Sequence, residues 1–169
     1  LKLDLSHKKL DSLPDLSKFK IITLDLSHNN LDTIPISKLP LTLRKLKCTD
    51  NKLIKFMMMN YKNSVIPDLQ PYHNSDLNIE EIDLSNNKLK VVTIKMLSIQ
   101  KNKILPKKII VSNNKIENLA INDNIHYLDI SNNLNINPEV LFAVEKIDTL
   151  IQTNNPKKLK TKRIPRPKK

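Results

Sequence analysis

Three observations predict an α/β solenoid whose short strands stack into one parallel sheet. An eight-residue template recurs along the chain, apolar residues alternate with polar ones inside each copy, and an Asn stands near the end of most copies. The template reads L-x-L-x-x-N-x-L and starts at Leu24, Leu46, Ile82, Ile109 and Leu128, with Cys48 and Asn135 as departures. A first copy at Leu3 has Lys8 in place of Asn, and a last copy at Leu150 ends with Asn155 and Pro156. Degenerate end copies are expected of capping units in a repeat array. The Asn-position residues 8, 29, 51, 87, 114, 133 and 155 are separated by 21, 22, 36, 27, 19 and 22 residues. The interval of 36 marks an insertion at 57–76. A competing match at Ile94 to Ile104 lies too close to its neighbours for a full turn, and is expected to be back-side chain that imitates a strand.

The pattern resembles the leucine-rich-repeat family, whose consensus is L-x-x-L-x-L-x-x-N/C-x-L, over residues 1–156. The resemblance implies a right-handed superhelix of about seven units with a concave parallel sheet, and partners that are usually proteins held on that sheet. It also implies an asparagine ladder of Asn29, Asn51, Asn87, Asn114, Asn133 and Asn155, whose inward amides satisfy backbone groups of adjacent turns. The residues support the architecture by themselves. In a strand, alternate side chains point to opposite faces, so the L-x-L residues of each copy face inward together. No single copy carries enough apolar surface to fold alone; stacking buries the columns continuously.

The elements follow in order. Each copy forms a short strand, and pairs such as Asn86-Asn87 and Asn113-Asn114 turn the chain where glycine would otherwise serve, because Asn tolerates left-handed backbone. The return paths should be loop, 3₁₀ turn or brief helix, with L-P steps at Leu13-Pro14 and Ile34-Pro35. The insertion 57–76 should be a surface loop. Asn137 as N-cap, Pro138, Glu139 and the apolar Val140, Leu141, Val144 and Ile147 predict a capping helix over 138–147. The tail 157–169 has eight Lys or Arg and no acid in thirteen residues and should be extended. Leu1 stands partway into a unit, which leaves room for units or a signal before it.

Composition narrows function. The 169 residues contain no Gly and no Trp. Absence of glycine excludes the P-loop, the dinucleotide fingerprint and the G-x-S-x-G nucleophile elbow. An aromatic fraction of 4% argues against base-stacking platforms. One cysteine, Cys48, allows no internal disulfide and fits a reducing, intracellular compartment; it occupies an inward column and should be an inert thiol. Asp4, Ser6 and His7, like Asp25, Ser27 and His28, are triad residue types confined to single strands, so no catalytic site is expected. His7 and His28 occupy equivalent positions, but no third ligand accompanies them, and neither a metal nor a cofactor is expected.

The net charge of +12 favours an anionic partner. The tail residues Lys157, Lys158, Lys160, Lys162, Arg163, Arg166, Lys168 and Lys169 could supply that contact. Between Leu84 and Ile116 lie eight more lysines and no acid. On the concave face, outward residues of successive copies form columns. Lys45, Lys47, Asp83, Lys108, Ile110, Tyr127, Asp129 and Ile151 are the expected protein-binding residues, with Tyr61, Tyr72 and His73 from the insertion. A neighbouring column of Ser and Thr is expected to fit crowded strands and pair across them. The expected function is a non-enzymatic protein-interaction module with an anionic contact through the tail. A structural part in a ribonucleoprotein or virion-like assembly, held by the tail and the 88–115 lysines, is the alternative. More remotely, the L-P-containing stretch from Leu39 to Cys48 resembles repeats of some bacterial effectors, which implies substrate recognition for a ligase.

Overall fold

The computed structural model describes residues 1–60, 77–96, 106–121, 125–136 and 147–155. Seven short strands form one parallel sheet: β1 (Lys2–Asp4), β2 (Thr23–Asp25), β3 (Lys45–Lys47), β5 (Glu81–Asp83), β7 (Lys108–Ile110), β9 (Ile125–Asp129) and β10 (Ile147–Ile151), in that spatial order. The register aligns Leu3, Leu24, Leu46, Ile82, Ile109, Leu128 and Leu150 in one inward column. Five of these, Leu24 through Leu128, are fully buried, so the apolar column makes the core by neighbouring strands covering one another.

Most of these strands are three residues long because polar chemistry stops them. In the L-D-L-S copies, the Asp4, Asp83 and Asp129 Oδ1 atoms each accept hydrogen bonds from the backbone N–H and the hydroxyl of the Ser two residues on. Asp25 likewise accepts from the Ser27 N–H. These local turns compete with continued pairing. The chain then enters left-handed backbone at His7, His28, Asp50, Asn86, Asn113, Asn132 and Asn154, the residue immediately before each ladder position. Asn, Asp and His are the non-glycine residues that adopt this region most readily. In the pair Asn29-Asn30 it is His28, outside the pair, that takes the left-handed conformation.

The ladder follows directly. Asn87 donates to the carbonyls of Cys48, Leu84 and Ser85 and accepts from the Leu53 N–H. Asn29, Asn51, Asn114 and Asn133 repeat the arrangement, each bridging its own turn and the preceding one. Asn155 closes the row, accepting from the Asn133 N–H and donating to the Ile130 carbonyl. Every amide thus satisfies backbone groups that burial would otherwise leave unpaired.

The return paths correct the expectation of loops and brief helix. β4 (Lys55–Asn60), β6 (Val91–Met96) and β8 (Asn118–Ile121) form a second parallel sheet, in that order. The stretch beginning at Ile94, read as chance mimicry, therefore starts inside a true strand, and Met57 to Asn60 belong to β4 rather than to an inserted loop. The physical reason is the matching offset: β4, β6 and β8 each start four residues after a ladder Asn, so neighbouring turns present backbone groups to one another. Phe56, Met58, Val92, Ile94, Leu119 and Ile121 from this sheet join the large sheet's leucines in one continuous core. Elsewhere the return path holds a 3₁₀ turn at Ile36–Lys38 after the Ile34-Pro35 step. The helix expected over 138–147 lies outside the described residues except for Ile147, which instead opens β10 and pairs with Ile125. Among the described residues there is no α-helix, so the helical half of the expected α/β class is not found there.

The open face of the large sheet as candidate functional site

The side chains flanking the buried column project from the open face of the large sheet. Their register gives two rows. The first is Lys2, Thr23, Lys45, Glu81, Lys108, Tyr127 and Thr149. The second is Asp4, Asp25, Lys47, Asp83, Ile110, Asp129 and Ile151. A hollow of about 210 Å³ is lined by Thr23, Lys45, Lys47, Glu81, Asp83, Lys108 and Ile110, with Leu46 and Ile82 at its base. Five of the eight face residues singled out from sequence meet here. Tyr127 adjoins them through Lys108, whose Nζ lies 5.4 Å from the ring centroid. Asp129 and Ile151 are farther along the row, on β9 and β10, and do not line the hollow.

Two of the four lysines on this face are paired with a carboxylate of a neighbouring strand. Lys45 Nζ lies 2.7 Å from Glu81 Oε1, and Lys47 Nζ lies 3.3 Å from Asp25 Oδ2. The hydrogen bond to Glu81 raises the Lys45 pKa above its ordinary value. At Asp25, burial pushes the carboxyl up, but hydrogen bonds from Ser27 and the charge of Lys47 together outweigh it and hold the pKa below the ordinary value. The partners Glu81 and Asp25 stand in the same outward columns of the sequence but were not among the expected binding residues. The signal for them is the register: like template positions of successive copies lie side by side, so Lys45 faces Glu81 and Lys47 faces Asp25.

The Ser and Thr column behaves differently from expectation. Ser6, Ser85 and Ser131 direct their hydroxyls to the Asp of the same strand, not to the next strand. Asp83 and Asp129 thus already serve backbone turns. One hydroxyl does work across strands, since Ser27 Oγ accepts from the Thr49 N–H at 3.3 Å.

The 88–115 lysines do not share one surface. Lys108 belongs to the open face, whereas Lys88, Lys90 and Lys115 are exposed beyond the ladder. Lys101 and Lys103 lie outside the described residues, as do Tyr61, Tyr72, His73 and the tail from Lys157 to Lys169. Cys48 is fully buried, and desolvation pushes its thiol pKa far above the ordinary range. His7 and His28 stack with ring centroids 4.3 Å apart, and His28 Nε2 lies 3.8 Å from Asp50 Oδ2. Among the described residues no group of three His, Cys, Asp or Glu is placed to hold a metal ion, and no helix is long and apolar enough to cross a membrane.

The family model described as Leucine Rich Repeat matches residues 20–40, the stretch that contains β2 and the 3₁₀ turn. Residues 20–40 thus match a leucine-rich repeat, and the parallel sheet, with almost no helix among the described residues, fits that fold. Such repeats are generally protein-interaction modules and are typically non-enzymatic. No curated protein and no solved structure matches the chain.

Proposed function

We propose that this chain is a non-enzymatic interaction module, a solenoid of about seven right-handed units that holds a protein partner on its concave open face. The observation that carries this reading is the hollow over β2, β3, β5 and β7, where apolar Ile110 sits beside Lys45 and Lys47, both paired with carboxylates, and Lys108, which lies over the Tyr127 ring. Its two rows hold four lysines against five carboxylates, so bulk charge does not select the partner. An apolar anchor ringed by compensated polar groups is the usual anatomy of a protein contact. Lys45, Lys47, Asp83, Lys108, Ile110 and Tyr127 form its centre, with Asp129 and Ile151 at the margin. Tyr61, Tyr72 and His73, and the basic tail for an anionic partner, are further candidate contacts outside the described residues.

Co-purification from the native source tests the reading, comparing the chain with Ile110→Glu and Tyr127→Ala variants. A partner retained by the unmodified chain at high salt, and lost by both variants, supports the concave-face site. Recovery of nuclease-sensitive RNA only when residues 157–169 are present would favour a ribonucleoprotein component held by the tail. A partner that ignores both face variants overturns the site.

A further inference from the structure

Beyond the open face, the chain carries a second ordered row of charge, and unlike the first it has no ion-paired member among the described residues. Lys52, Lys88 and Lys115 each follow a ladder Asn by one residue, and all three are exposed. Their backbone N–H groups donate to the carbonyls of Leu31, Leu53 and Leu89, each two residues past the ladder position of the preceding turn. That shared bonding places the three lysines at one height on successive turns, about 4.8 Å apart per strand step. Among the described residues none of the three makes an ion pair. Of the nearby carboxylates, Asp50 faces His28, Glu117 lies 4.0 Å from Lys90 Nζ, and the exposed Asp32, next to Leu31, makes no ion pair with Lys52.

We infer that this edge is a binding surface for the phosphodiester backbone of single-stranded nucleic acid. Three uncompensated cations in a single straight file suit a linear polyanion with regularly repeated charge. A membrane is the poorer fit, because an interfacial surface needs apolar area beside the lysines. Among the described residues only Ile54 and Leu134 are exposed large apolar side chains nearby, while Phe19 and Ile22 lie at the opposite, entry end of the strands. The row has no aromatic residue, so contact is with phosphates and independent of base sequence. The adjacent amides of Asn113, Asn132 and Asn154 form their own file, with Asn132 donating to Asn113 and Asn154 to Asn132, each at 2.7 Å, and provide a polar, uncharged margin. This inference stands apart from the concave-face reading, since it uses none of the same residues.

The test is fluorescence anisotropy of a labelled, mixed-sequence single-stranded RNA against the full chain between about 50 and 200 mM salt. The triple variant K52Q/K88Q/K115Q should bind about tenfold more weakly at the lower salt, and the slope of log K against log salt should fall by about 2, from roughly 0.7 per lost phosphate contact. The charge-preserving triple K52R/K88R/K115R should keep both affinity and slope, and circular dichroism should show all three chains equally folded. An unchanged slope in the glutamine variant would place every phosphate contact in the tail and overturn the inference. So would a glutamine variant that loses binding to phosphatidylserine-containing vesicles but not to RNA, or a full chain that binds no RNA at low salt.

Discussion

The two parallel sheets share a core but stop their strands by different means. On the open face, β2, β3, β5 and β7 are three residues long, each followed by a left-handed residue and a ladder Asn; in β2 and β5 an Asp–Ser turn also marks the end. Behind it, β4 and β6 run for six residues, with Phe56 and Met58 of β4 and Val92 and Ile94 of β6 buried on one side. Polar side chains thus set where an open-face strand ends, since β9 has the same stop at Asp129 although it is five residues long. Apolar alternation makes a strand possible; an amide or carboxylate that captures the backbone decides where it ends.

Breaking each sheet at its own kind of contact should separate the two. The largest effect is expected in the back sheet, where Phe56→Ala removes a fully buried ring and should cost about 3–5 kcal/mol, read as a lowered midpoint in chemical unfolding. Asn87→Ala in the ladder comes next. It strands the Leu53 N–H and the Cys48 and Leu84 carbonyls, and should cost about 2–3 kcal/mol in the same assay. If Asn87→Ala proves neutral, water replaces the amide and the ladder is not what closes the turns.

Smaller effects sharpen the comparison. The Asp25 carboxyl has its pKa lowered in the folded chain, so it stabilises the fold above the unfolded value of about 3.9 and that contribution is lost as pH falls through the folded value. Asp25→Asn should therefore lower the neutral midpoint slightly and leave stability below the folded value nearly unchanged, which flattens the acid limb of a stability–pH profile. Smallest in equilibrium terms is Cys48. Its buried thiol, with its pKa pushed up, should react with a thiol reagent only as fast as the chain opens, so labelling should accelerate in Phe56→Ala.

Legibility differed between the sheets for a physical reason. The columns from Lys45 to Tyr127 and from Lys47 to Ile151 were readable because a two-residue alternation anchored by Asn phases every copy. The back sheet was harder to see. Val91-Val92-Thr93-Ile94 is β-branched and starts at the same offset from Asn87 as Lys55 does from Asn51, which is the signal that marks it. Yet its periodicity alone also suits a buried return path. The role of Asp in L-D-L-S was similarly hidden, since the same carboxylate can face a partner or cap its own turn.

The amino-acid sequence by itself determined the repeat, the inward leucine column, the ladder positions and the order of residues along the open face, because these follow from local periodicity and from residue types with one favourable place to go. Only the tertiary structure decided the rest. Whether a return path pairs as a strand depends on its neighbour's backbone; whether a lysine is free depends on the turn beside it. Thus Lys45 and Lys47 are matched by Glu81 and Asp25, while Lys52, Lys88 and Lys115 stand in file with no counter-charge among the described residues. Hydrogen bonds and ion pairs between turns are set by stacking, and stacking is a property of neighbours that no single copy of the repeat contains.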